Sequence, residues 1–99
     1  MKVDEVTRDA FEPYLDGIFR VSAGEDLAFD AQLIEVSTMG ETQGPTGRQA
    51  FSVVLRGPEN EAPEQAIYQV VHEELGSIEL FLVPIGPDDK GMKYEAVFT

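Results

Sequence analysis

The second half of the chain is cut into four strand-length segments, which leaves little room for anything but antiparallel sheet. AFSVVLRG (50–57), QAIYQVVHE (65–73), GSIELFLVPIG (76–86) and GMKYEAVFT (91–99) alternate apolar and polar residues, with short stretches rich in Gly, Pro and Asp between them. Alternation with a period of two places one row of side chains on a core face. Gly, Pro and Asp supply the backbone of tight turns. In the last segment Met92, Tyr94, Ala96 and Phe98 are expected inward, with Lys93 and Glu95 outward.

The first half adds two strands and a short helix. Thr7 is a candidate N-cap for a helical turn through Glu12, which Pro13 should end because it lacks a donor and restricts the residue before it. Ala10, Phe11 and Leu15 are then placed to plug an open end of a core. IFRVS (18–22) sets Phe19 and Val21 against Arg20, and a turn at 23–26 leads into the long strand LAFDAQLIEVST (27–38). There Leu27, Phe29, Ala31 and Leu33 share a face, until the apolar phase switches at Ile34 and Val36, as at a β-bulge. The segment 39–49, with Gly40, Gly44, Gly47 and Pro45, reads as one exposed loop and not as a regular strand. A second polar loop runs between Pro58 and Pro63. In LFLVPI (80–85) both faces are apolar, so this strand should be central, or covered outside by a partner or by the short helix. The expectation is an all-β domain spanning 1–99, with about six antiparallel strands in a small barrel or sandwich and one short N-terminal helix.

Composition narrows the chemistry. A chain of 99 residues suits a single domain with one core, and 42% apolar with 26% charged residues is an ordinary globular balance. The absence of cysteine removes disulfides, thiol catalysis and thiolate metal sites. The opening MKVDEVTRD lacks the apolar stretch of a signal peptide, so synthesis in the cytoplasm is expected. The net charge of −12 comes from 19 acidic and 7 basic residues, the acids spread along the chain. No basic footprint for nucleic acid or anionic lipid exists. An even acidic scatter is what a solvated surface looks like. It also admits an acidic face for a basic protein partner, or a mimic of DNA.

Candidate sites are few. His72, the only histidine, stands before Glu73 and Glu74 and has the elements of a general base, but its phase with Tyr68 and Val70 also suits a rim hydrogen bond. No serine lies in a nucleophile elbow. Gly40, Gly44 and Gly47 precede Arg48 without the spacing of a phosphate-binding loop, and a strand follows where a helix is needed. Asp88 and Asp89 in GPDDKG read as a turn, not as a calcium loop. Neither a cofactor nor a metal is expected, nor an enzymatic activity. Arg56 either pairs with a cross-strand carboxylate or contacts an acidic partner. Partner contacts are expected on the two loops, at Gly40, Gly44, Gly47, Arg48, Glu59 and Glu61, together with Arg56. The long second strand is a further candidate, as a sheet edge open to another chain.

FSVVLRGP (51–58), the strand 65–72 and LGSIELFLVPIGPDDKGMKYEAVF (75–98) carry a resemblance to a small bacterial domain-of-unknown-function family, as does the opening Phe11, Leu15, Gly17 and Phe19. One departure is Ala66–Ile67 after Gln65, where the family pattern suggests a Gly–Thr-like pair. Members of that family are often encoded beside phage tail-collar proteins of the microcystin-dependent type. The resemblance implies a structural or adaptor protein of a phage-tail-like or related assembly, with tail-collar-like proteins as partners, a possible homo-oligomer and incorporation outside the cell. It implies no activity. The alternative is an acidic inhibitor or DNA mimic acting on a basic enzyme.

Overall fold

The computed structural model of the chain describes residues 7–24, 27–43, 49–58 and 65–98. A helical turn α1 (Arg8–Phe11) precedes six strands: β1 (Ile18–Ala23), β2 (Leu27–Gln43), β3 (Gln49–Gly57), β4 (Ala66–His72), β5 (Gly76–Pro87) and β6 (Met92–Phe98). They form a closed antiparallel barrel in the order β1-β2-β3-β6-β5-β4. Two three-stranded meanders are thus joined along two seams, β3–β6 and β1–β4. Barrel, strand count and short helix match the sequence expectation.

The inward rows follow the period of two. Phe19 and Val21, Phe29 to Leu33, Phe51 to Leu55, Tyr68 and Val70, Ile78 to Leu82 and Tyr94 to Phe98 each send alternate residues into one core. Phe51 and Phe98 stack with centroids 4.4 Å apart and planes 3° from parallel. At the other end of the β3–β6 seam Phe29 stacks on Tyr94 at 5.5 Å. Ser52 and Val54, out of phase with this core, are buried too. Both are short side chains flanked on the two neighbouring strands, Ser52 by Ser37 and Val97 and Val54 by Glu35 and Glu95.

Two bulges shape the wall. Leu33 pairs with Leu55 and Glu35 with Val54, so Ile34 is the extra residue that switches the apolar phase of β2 as expected. On β5, Pro84 pairs with Tyr94 and Gly86 with Lys93, leaving Ile85 extra. Gly86 has φ 113, a backbone state closed to most side chains, and Pro84 tolerates its missing donor because the ladder is broken there.

Several expectations are corrected. β2 is not the open edge of a sheet but is paired in turn, with β1 over 27–32 and with β3 from 32 onward. Beyond Leu33 its ladder continues on the β3 side alone among the described residues. The segment 39–49 is strand at both ends, with Gln43 opposite Gln49 after a register shift that follows Thr38, so Gly40 falls in the interval where the ladder changes register. Pro13 does not end the helical path. The chain tightens into a 3₁₀ turn over Glu12–Tyr14, whose first residues need no internal donor. Phe11 is buried against Phe19, Phe51 and Phe98 at 5.6–6.3 Å and plugs the core, whereas Leu15 is exposed.

Because Phe11 bridges three strands from outside the sheet, Phe11→Ala should destabilise the barrel by about 3–5 kcal/mol in urea unfolding, with an unchanged m-value. A loss under about 1 kcal/mol would mean that the plug is not what closes this end.

Candidate functional site

The outer wall formed by β4, β5 and β6 carries an unusual concentration of apolar side chains. Ile67 is 64% exposed, Phe81 53%, Val97 50% and Ile85 45%. Register explains their meeting, since Ile67 lies opposite Phe81 while Gln69 lies opposite Glu79 on the same outward face. The ladder between β5 and β6 runs from Val83 opposite Glu95 to Pro87 opposite Met92. Beyond it, among the described residues, no register pair joins 76–82 of β5 to β6. The gap is a groove of about 600 Å³ lined by Ile67, Phe81, Val83 and Val97, with Glu79 and Glu95 at its margins. Its floor reaches the inward row at Leu80 and Ala96, as expected where two strands part.

The doubly apolar LFLVPI segment sends Leu80 and Leu82 inward and leaves Phe81 and Ile85 exposed on the outer wall, so its second apolar face is not covered within the chain as a central strand's would be. The short helix does not cover it, as α1 packs against β2 and β3. Tyr94 and Phe98, expected inward from the alternation of the last strand, fill the core.

The other sequence candidates are placed elsewhere. Arg56 donates from Nε to Asp88 Oδ2 at 2.9 Å and from Nη1 to Gln32 Oε1 at 3.4 Å, a cross-strand clamp on the rim. The Asp88 Oδ1 atom accepts from the backbone N–H groups of Lys90 and Gly91 at 2.8 and 2.9 Å. The turn presses so close that a side chain at Gly91 would meet the Gly57 carbonyl. Gly40 lies within β2, while Gly44, Gly47, Arg48, Glu59 and Glu61 fall outside the described residues. Among the described residues, neither Arg56 nor Gly40 lines the apolar groove.

His72 closes the β4–β5 turn. Its Nδ1 accepts from the backbone N–H groups of Glu74 at 3.0 Å and Leu75 at 3.4 Å, and its ring lies between Tyr14 and Phe19 at 4.5 and 4.8 Å. Burial, with a hydrogen bond to Glu74 and that carboxylate's charge, raises the Tyr14 hydroxyl pKa above its ordinary 10.0. A cleft beside this cluster is lined by Arg20, Asp30, His72 and Glu73, with Arg20 and Asp30 already paired at 3.0 Å. Tyr68, which an enzymatic reading would group with His72, is an inward residue in edge contact with Tyr94. Among the described residues no helix is long and apolar enough to cross a membrane.

What fold and groove define is a small closed antiparallel barrel with an apolar, acid-rimmed cleft in its outer wall. The family model of a domain of unknown function, DUF6916, matches residues 6–98, and the chain belongs to that family. No curated protein and no solved structure matches it.

Sequence reasoning noticed the outward row of β5 but missed its partners. Ile67 and Val97 were each legible as the out-of-phase apolar residue of a strand whose neighbours, Tyr68 and Phe98, face inward. What no pattern gave was the register that sets Ile67 opposite Phe81.

The clamp yields a pH prediction. The N–H of Lys90 foremost, then Arg56 and the N–H of Gly91, hold the Asp88 carboxyl below its ordinary 3.8, against the opposing effect of its partial burial. A carboxyl depressed on folding stabilises above its unfolded value, and that contribution is lost as pH falls through the folded one. Asp88→Asn should therefore lower Tm at pH 7, and the gap to the parent chain should close as pH is taken below about 4. A constant gap across that range would show that the charge on Asp88 contributes nothing.

Proposed function

We propose that this protein is a non-enzymatic structural or adaptor protein that works by binding another protein at the β4–β5–β6 wall. The observation that carries the reading is the exposed cluster of Ile67, Phe81 and Val97 around a groove. A contiguous apolar patch on a small acidic domain costs solubility, and such patches mark interaction surfaces. Phe81 is the natural anchor, a large ring half in water beside a gap that a partner side chain can fill.

The setting that suits such a module is a phage-tail-like or related bacterial assembly, with tail-collar-like proteins as partners. Gly40, Gly44, Gly47, Arg48, Glu59 and Glu61, the candidates from sequence, are proposed as further partner contacts. The alternative, an acidic inhibitor or DNA mimic, requires carboxylates in phosphate-like rows. The wall instead alternates Glu79 and Glu95 with Ile67, Phe81 and Val97, which favours apolar docking.

The test is a photo-crosslinking amino acid placed at Phe81, with a second at exposed Ile18 on β1 as the control, in cells producing the chain. One defined protein adduct at 81, absent at 18 and reduced at least tenfold by Val97→Lys, is the expected result. Equal labelling at both positions, or none at 81, would overturn the docking reading.

A further inference from the structure

We infer that the groove takes an extended apolar segment of a different protein, one that carries Lys or Arg on either side of its apolar residues. This rests on the docking reading above and specifies the occupant.

Three observations select it. The first is the shape of the gap. β6 stays paired to β3 as far as Phe98, and β5 stays paired to β4 as far as Gly76, so along 76–82 the strand that β5 parts from is β6. Among the described residues the side of 79–82 that faces β6 has no ladder partner there. An extended chain lying along that side meets strand backbone that can exchange main-chain hydrogen bonds, and its alternate side chains point into the groove. A helix would present side chains to the groove and no main-chain groups to the parted strand.

The second observation is the composition of the lining. Ile67, Phe81, Val83 and Val97 accept β-branched or aromatic side chains, the residues that extended segments carry. The third is charge. Glu79 and Glu95 stand at the margins, on a chain of net charge −12. Arg8, Arg20 and Arg56 are each committed to a carboxylate within the chain, at 2.9–3.1 Å. A cationic flank is attracted both locally and by the whole molecule. A second copy of this chain would bring the same −12 charge, and its own Glu79 and Glu95, against this face. The occupant is therefore another protein.

The test uses the full-length, isotopically labelled chain titrated with three synthetic peptides of nine residues. One alternates Val and Thr about a central Phe with two Lys at each end, a second replaces the Lys with Glu, and a third is the Lys peptide with N-methylated central amides. The expected result is amide shift changes confined to 66–68, 79–83 and 95–98 with the Lys peptide. Binding of the Glu peptide and of the N-methylated peptide should each be at least tenfold weaker. The variant Glu79→Lys, Glu95→Lys should reverse the charge preference, and the affinity for the Lys peptide should fall as salt rises.

Shifts elsewhere, equal binding of the Lys and Glu peptides, or no binding would overturn the inference. So would self-association in sedimentation experiments that Phe81→Lys abolishes, since the occupant would then be a second copy. If all three peptides fail while crosslinking at position 81 still gives its adduct, the strand mode is wrong and the docking face stands. If both fail, the docking face is wrong as well.

Discussion

The barrel depends on the pairing of β3 with β6. Seven consecutive register pairs, from Phe51 opposite Phe98 to Gly57 opposite Met92, join two meanders that are otherwise local hairpins. The opposite seam has three, Arg20 to Ser22 against Val71 to Gln69. The strongest features of the molecule sit at the ends of the longer seam. At one end Phe51 stacks on Phe98 with Phe11 above them. At the other, Gly57 and Gly91 allow close approach, and Arg56 ties β3 to the Asp88 turn. Such pairing closes long loops before it gains any contact, so the hairpins are expected to form first and the seam to complete the fold.

The groove follows from that closure. β6 is held along its whole length by β3, and β5 along its first half by β4. The two strands are consecutive and joined by a short turn, yet they share a ladder only near that turn. The Ile85 bulge lies inside this short ladder, and a bulge increases local twist and bends its strand. Beyond the bulge β5 stays with β4 and β6 stays with β3, and the wall opens between them. A closed barrel removes free sheet edges in general. This one keeps part of an edge where β5 and β6 part within the second meander.

Much of this was legible before any coordinates. The period-two rows named almost every core residue, and the phase switch at Ile34 named the first bulge. Length and turn chemistry set the strand count. The order of strands around the barrel was not legible, because alternation says which face a residue takes but not which strand lies beside it. For the same reason the outward apolar row of β5 was read without Ile67 of β4 and Val97 of β6, which the barrel sets beside it. Arg56 illustrates the opposite case. Its type and place suggested either an ion pair or a partner contact, and the geometry supplies Asp88 at 2.9 Å. The loop candidates Gly44, Gly47, Arg48, Glu59 and Glu61 rested on composition alone, and they lie outside the described residues.

Acidity and groove make most sense together. A wall bearing Ile67, Phe81, Ile85 and Val97 on a neutral domain would invite copies of itself. A net charge of −12 opposes such pairing at low and moderate salt. The repulsion does not act on a cationic partner, so the charge that protects the apolar face from its own kind also selects what reaches it. Glu79 and Glu95 apply the same rule at contact distance, where a carboxylate without an opposite charge is costly to desolvate. Removing these two carboxylates while keeping the apolar lining would separate the roles. Affinity for an apolar segment would remain, but discrimination between a basic partner and a second copy would weaken.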